Sequence, residues 1–296
     1  MKKTVLTIWM TVVSVVAAWA QASPALPFIT IDRNPASLAM GATQANKALY
    51  NPAVTALTGS DVAFSFQSWA PGGAKSTNLN LLGGFKFGKF GLNVLGAYQA
   101  GEAYETMDAS GNTGSKFTPS DLLIGLGFGF AFTDNLSAGI NLKMASSTLA
   151  AKDATYTSFA GDIFVTYATK ELKATAGIAS LGLPIKSGDK SYGLPASAKA
   201  GADYKFAFGT SAVNLAADFD FFFTGGIGLG IGAQYGWNDM VFVRAGYHLG
   251  TGNAPIPSFA SIGLGGKFFG VHVDLSFLTA SPVLGNTIAI GLGYSF

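Results

Sequence analysis

The sequence predicts an all-β protein, a transmembrane antiparallel β-barrel of about 14 strands with a short N-terminal helical plug segment. Three observations lead there. Residues 287–296, TIAIGLGYSF, put Ile288, Ile290, Leu292, Tyr294 and Phe296 on one face of a strand and Ala289, Gly291, Gly293 and Ser295 on the other. Only 11% of the 296 residues are charged, against roughly 25% in soluble domains, too few to clothe a water-facing surface. Mean hydropathy is +0.37, yet beyond the first residues no apolar run reaches the roughly 20 residues a helical span needs. A closed barrel is the other structure that satisfies every backbone hydrogen bond in lipid.

Taken in order, residues 1–20 read as a signal peptide. Lys2 and Lys3 precede an apolar stretch, and Ala18-Trp19-Ala20 supplies small residues for cleavage, so the mature chain is expected to start at Gln21. The stretch is shorter than a membrane anchor requires. Residues 21–60 are not strand-like. A short helix over 36–48 and a turn at Asn51-Pro52-Ala53 suit a plug inside the barrel, or equally a periplasmic leader that caps it.

The barrel occupies residues 61–296, as alternating segments separated by turn residues. They are 62–69, 78–87, 91–100, 122–133, 136–146, 155–168, 172–179, 198–207, 213–223, 227–237, 241–249, 262–269, 271–278 and 287–296, with 155–168 the least regular. Thr133-Asp134-Asn135, Phe208-Gly209-Thr210, Trp237-Asn238-Asp239 and Phe269-Gly270 suit tight periplasmic turns. The polar stretches 101–120, 182–193 and 250–258 suit extracellular loops, where a partner or substrate would make contact. In one segment Leu122, Ile124, Leu126, Phe128, Phe130 and Phe132 oppose Gly125, Gly127, Gly129 and Ala131. A soluble sandwich would need charge on that second face. Trp69, Tyr98, Tyr235, Trp237 and Tyr294 near segment ends fit interfacial aromatic girdles.

Alternation assigns Lys143, Asp162, Lys199, Asp203, Lys205, Asp218, Asp220, Arg244, His248, Lys267, His272 and Asp274 to the lumen. An Arg or Lys facing lipid would cost roughly 2–4 kcal/mol at the midplane. Their signs nearly balance, so they either pair and fill the interior or line a polar path or ligand site. Phe222 and Phe269 are also expected inward. His272 and Asp274 share a face, but nothing marks a nucleophile, and two histidines are too few for a metal site. The GxG runs of 225–232 lie within strands and lack the helix a dinucleotide fingerprint needs. No enzyme, cofactor or metal is expected. A scattered net charge of +2 gives no grip on nucleic acid, and the lack of cysteine excludes disulfides and a lipoprotein anchor.

Some motifs carry a family resemblance. Ser37-Leu38-Ala39-Met40-Gly41-Ala42, then Tyr50-Asn51-Pro52-Ala53 and Leu57, resembles the "AMGGA … WNPAGL" opening of the FadL superfamily, especially its PorV/PorQ branch in Bacteroidetes. Arg244-Ala245-Gly246-Tyr247 resembles that branch's penultimate "RAGY" strand, Gly193-Leu194-Pro195-Ala196 its "LP" strand opening, and Leu284-Gly285-Asn286-Thr287 its lead into the last strand. Ala42 replaces a glycine, Tyr50 a tryptophan, and Ile288-Ala289 a His-Arg pair. The Tyr-x-Phe ending, Tyr294 and Phe296, resembles the signal read by the outer-membrane insertion machinery of Gram-negative bacteria.

The resemblance implies an outer-membrane barrel embedded in lipid, with a plug motif at Met40, Gly41, Asn51, Pro52 and Ala53. It implies one of two tasks. The first is a non-enzymatic accessory subunit of a larger export or assembly complex, as in type IX secretion. The alternative is a FadL-like passive transporter of a hydrophobic small molecule. The polar loops and polar lumen expected here favour the subunit, because a transporter needs an apolar pocket.

Overall fold

The computed structural model describes residues 24–70, 75–107, 110–150 and 154–296. The expected signal peptide and its junction at Gln21 lie outside the described residues. In chain order the strands are β1 (Asp61–Trp69), β2 (Ser76–Phe87), β3 (Phe90–Gly101), β4 (Tyr104–Met107), β5 (Thr113–Phe117) and β6 (Ser120–Ala131). There follow β7 (Leu136–Thr148), β8 (Thr155–Ala168), β9 (Leu172–Gly182), β10 (Ile185–Ser187), β11 (Lys190–Tyr192) and β12 (Ser197–Phe208). The last are β13 (Ser211–Phe222), β14 (Gly226–Trp237), β15 (Val241–Gly252), β16 (Phe259–Phe268), β17 (Val271–Thr279) and β18 (Thr287–Ser295).

Fourteen of these strands form one closed antiparallel barrel. Every segment expected from alternation coincides with a barrel strand to within three residues at each end. β18 closes the ring by pairing with β1 from Asp61↔Ser295 to Ser68↔Ile288. The barrel is inside out relative to a soluble protein. Phe64, Leu81, Leu126, Ile163, Leu264 and Ile290 stand roughly half exposed on the outside, while Gln67, Asn80, Thr166 and Ser276 are buried inside. A continuous apolar belt on this scale has to be covered by lipid.

The short turns and the C-terminal residue lie at one end of the barrel and the long loops at the other. Two of those loops are more ordered than expected: β4 pairs with β5, and β10 with β11, as separate hairpins. Among the barrel pairings of the described residues the register shifts only between β8 and β9, where Gly161 pairs with Leu181 and Ile163 with Ile178. Ser180 in that bulge has φ +55°.

Alternation fails where strands end. Trp69 is not a girdle residue: on the same face as Gln67, it is buried and turns inward beneath the outer loops. Phe269 does not face the lumen either, because it sits in a tight turn at φ +47° with its ring 86% exposed. Tyr98, Tyr235, Trp237 and Tyr294 do point outward.

The N-terminal segment fills the lumen. It begins among the outer loops, where the Ala25 N–H donates to the Gly193 carbonyl at 2.8 Å. It makes a 3-10 turn (Pro27–Thr30), helix α1 (Pro35–Leu38) and helix α2 (Pro52–Thr58), and then joins β1. The expected helix over 36–48 stops at residue 38, because Gly41 and Ala42 take left-handed φ of +73° and +62°. Asn51-Pro52-Ala53 is the start of α2 rather than a turn. Asn34 and Asn51 each cap a helix with the side-chain oxygen, and each is followed by a proline whose missing N–H costs nothing there.

Candidate functional site: a plugged lumen with stacked cavities

The plug is seated on two glycine patches of the inner wall. A β-carbon on Gly232 or Gly246 would collide with the backbone of Met40 and Gly41, and one on Gly129 with the Pro52 carbonyl. Gly127 and Gly139 leave room for the Pro52 ring. Small residues on β14 and β15 thus receive one plug turn, and those on β6 and β7 the cap of α2. Met40, Asn51 and Ala53 are at most 2% exposed.

Polar wall residues fix the plug's backbone. The Gly41 N–H donates to Ser261 Oγ (3.1 Å), and His248 Nδ1 donates to the Gly41 carbonyl (3.3 Å). The Ala45 N–H donates to Asp218 Oδ2 (2.7 Å), Ser137 Oγ to the Ala53 carbonyl (2.7 Å), and Asn141 Nδ2 to the Tyr50 carbonyl (3.1 Å). Asn51 reaches both back into the plug, to the Ala45 carbonyl, and out to Thr166 on β8.

The charges expected in the lumen are mostly paired. Lys143 meets Asp162 at 2.7 Å, Lys199 meets Asp220 at 2.6 Å, and Arg244 meets Asp274 at 2.6 Å. His272 lies between Asp274 and Asp61, 3.0 Å from each, and ties β17 to the start of β1 across the closing strand. Asp203 binds Lys47 of the plug at 2.8 Å and Asn46 at 3.1 Å. Lys267 stands at the turn end of the lumen, 3.8 Å from Asp239, and Lys205 is exposed at the same mouth. Tyr294 and Phe296 lie outside, their rings 4.9 Å apart at the seam's end.

Alternation did not reveal what the plug itself contributes. Tyr50 OH donates to Asp32 Oδ1 (2.8 Å) and accepts from the Arg33 N–H (2.6 Å), which folds the plug onto itself. Burial pushes the Asp32 carboxyl above the usual carboxylate range, against the pull of hydrogen bonds from Ser37, Asn34 and Tyr50. Burial likewise raises the Tyr50 phenol well above its ordinary value. The repeated Asn-Pro-Ala at 34–36 and 51–53 was the available signal, since it marks both helix starts.

Around this plug the lumen divides into cavities. An outer vestibule of about 570 Å³ lies among the long loops, lined by Leu26, Phe28 and Ile31 of the N-terminal segment and by Trp69, Ile185 and Leu284. The expectation of polar loops with few apolar residues is corrected here, because the loops turn Ile185, Ile256 and Leu284 inward beside the apolar N-terminal segment. Beneath the vestibule is a smaller, partly open cavity of about 110 Å³, lined on its apolar side by Ile29, Leu49, Leu95, Phe164 and Phe222. Ile256 touches both spaces. Leu49 touches both the inner cavity and a polar space of about 270 Å³ below, so residues 45–51 form the inner cavity's floor. A wider mouth of about 710 Å³, with Lys170, Lys173 and Lys205, lies at the turn end. Among the described residues no group of three or more His, Asp or Glu side chains is placed to hold a metal ion.

No protein-family model matches the chain, and no curated protein matches it. Among solved structures it is similar to the Pseudomonas putida toluene transporter TodX, with 16% identity, 90% of this chain and 98% of that chain covered, and a TM-score of 0.62. It is also similar to the CymD monoaromatic hydrocarbon channel, with 16% identity, the same coverage and a TM-score of 0.59. At that identity the likeness is one of fold.

Proposed function

We propose that this chain is an outer-membrane channel, FadL-like in kind, that passes small and mainly apolar molecules of about single-ring size by diffusion, without enzymatic chemistry. One observation carries the reading: a largely apolar vestibule stacked on a smaller, partly apolar cavity, with plug residues as roof and floor. A dry cavity of about 150 Å³ lined by Leu, Ile and Phe is known to hold benzene, and the inner space of about 110 Å³ is of that order. A solute gathers in the vestibule, where apolar surface replaces water at about 25 cal/mol per Å². It passes Ile256 and the 27–30 turn into the inner cavity. Release toward the periplasm requires the 45–51 floor to shift, which strains the Lys47–Asp203 ion pair and the Asn51 bonds.

The test is uptake by intact cells whose outer leaflet is lipopolysaccharide, with and without this chain, using toluene and glucose as probes. Toluene is expected to enter faster when the chain is present while glucose entry is unchanged, and equal toluene rates with and without it refute the channel. Fractionation of the native cell, with N-terminal sequencing, checks outer-membrane residence and a start at Gln21. Ladder truncation at Tyr294 and Phe296 checks their part in insertion.

The accessory-subunit reading has the PorV/PorQ-like motifs and the two outer hairpins in its favour, where Met107 is 70% exposed. Purification from the native membrane in mild detergent separates the two: a stoichiometric large partner supports the subunit, and a lone barrel the channel.

A further inference from the structure

The inner cavity is walled by two matching sets of side chains. On one side are Lys143 of β7, Asp162 and Phe164 of β8, and Ser180 of β9; on the other are Ser197 and Lys199 of β12 with Asp220 and Phe222 of β13. β9 and β12 are neighbours, with Ser197 opposite Ala179, so the two sets flank one seam. In the first, Lys143 Nζ lies 2.7 Å from Asp162 Oδ1 and 3.2 Å from Ser180 Oγ. In the second, Asp220 accepts from Lys199 Nζ at 2.6 Å and from Ser197 Oγ at 2.9 Å. Each set offers the cavity a phenyl ring beside an ammonium.

An ammonium has three N–H donors and accepts nothing. Lys143 uses two of them, and Lys199 only one, among the described residues. The carboxylates beside them keep some lone pairs, but Asp220 already accepts two hydrogen bonds and Asp162 three, and Lys199, with one of its three donors engaged, is the least satisfied of these four charged groups. A bare hydrocarbon in that space would displace water from donors and leave them unmatched, which is the expensive way to bury a polar group. A ligand oxygen would match them.

We infer that the inner cavity selects a single aromatic ring bearing an acceptor oxygen, a carbonyl or carboxylate, over the unsubstituted hydrocarbon, with the ring against Phe164 and Phe222 and the oxygen on Lys199. This rests on the channel reading and specifies its substrate class. The aromatic faces fix the ring, and the paired aspartates keep each ammonium in place without taking all its donors.

The experiment is equilibrium dialysis of toluene, benzaldehyde and benzoate against the purified full-length barrel in detergent micelles, with protein-free micelles as the baseline. Wild type is expected to bind benzaldehyde or benzoate roughly tenfold or more tightly than toluene. In the double variant Lys199→Met/Asp220→Asn, which removes the ammonium together with the carboxylate it binds, that preference is expected to collapse while toluene binding persists. A heat-dependent gel shift confirms that the variant is a folded barrel. For a variant that does not fold, competition of benzaldehyde against toluene on wild type decides instead. Toluene binding equal to or tighter than the oxygenated probes overturns this inference and leaves the channel standing. If no aromatic binds above the micelle baseline, the channel reading fails with it.

Discussion

Tyr50 shows how much one plug side chain holds. Its hydroxyl bridges the Asp32 carboxylate and the Arg33 amide, so Tyr50→Phe leaves two buried polar groups short of a partner, at about 1–3 kcal/mol. The expected outcome is a lower midpoint in urea unfolding of the detergent-solubilised barrel, followed by tryptophan fluorescence. Asp32 gives a pH test. Its raised folded pKa means that the native state holds a proton the unfolded chain has lost. Stability therefore falls as pH rises from the ordinary carboxylate value through the folded one. Asp32→Asn keeps an acceptor oxygen for Tyr50 and is expected to flatten that part of the profile, and an unchanged slope would show that another group titrates. Sequence alternation was enough to assign Asp203, Asp218 and Arg244 to the interior. It could not name their partners, because Arg244 reaches past Gly265 of the intervening strand to Asp274 and Asp203 reaches into the plug. Such pairings depend on register and on where the plug runs.

Among the elements, the strands were legible because a period of two with lipid on one side leaves little freedom of register. The plug was not legible in the same way. Its helices are only four and seven residues long, too short for apolar periodicity to show, and its backbone is set by glycine patches far away in sequence. Those patches make a direct prediction. A valine at position 129, Gly129→Val, would drive its β-carbon into the Pro52 carbonyl, and Gly232→Val would do the same at Met40. Both are expected to leave a heat-modifiable barrel but to loosen the plug, seen as raised single-channel conductance in planar bilayers. Wild-type conductance from both variants would show that the plug does not set the resistance. The outer hairpins escaped sequence reading for a different reason: β10 and β11 have three residues each, below the length at which alternation is distinguishable from loop composition.

For the whole molecule, the exposed belt decides the environment. Ile290 lies mid-strand on the outer face at 49% exposure, so Ile290→Arg is expected to destabilise the barrel by roughly 2–4 kcal/mol in lipid vesicles, less near the rim. An unaffected unfolding midpoint would argue against a lipid-facing surface there. The fold class, the strand number and the closing role of 287–296 were all readable from the chain. The division of the lumen was not, since a cavity is the space left over between plug and wall, and neither half announces it alone.

The threading of the plug also constrains time. Residues 24–31 are held at the loop end and α2 at the turn end, so a single covalent segment passes through the whole ring. A ring already zipped from β1 to β18 would have to admit that segment through its mouth and past two snug glycine patches. The favourable sequence of events is the reverse: the segment lies down along β6, β7, β14 and β15 while the cylinder is still an open sheet, and the β1–β18 joint zips last around it. Plug mistakes would then be trapped rather than repaired, and the rate of the final zipping step is where a loosened plug would first be noticed.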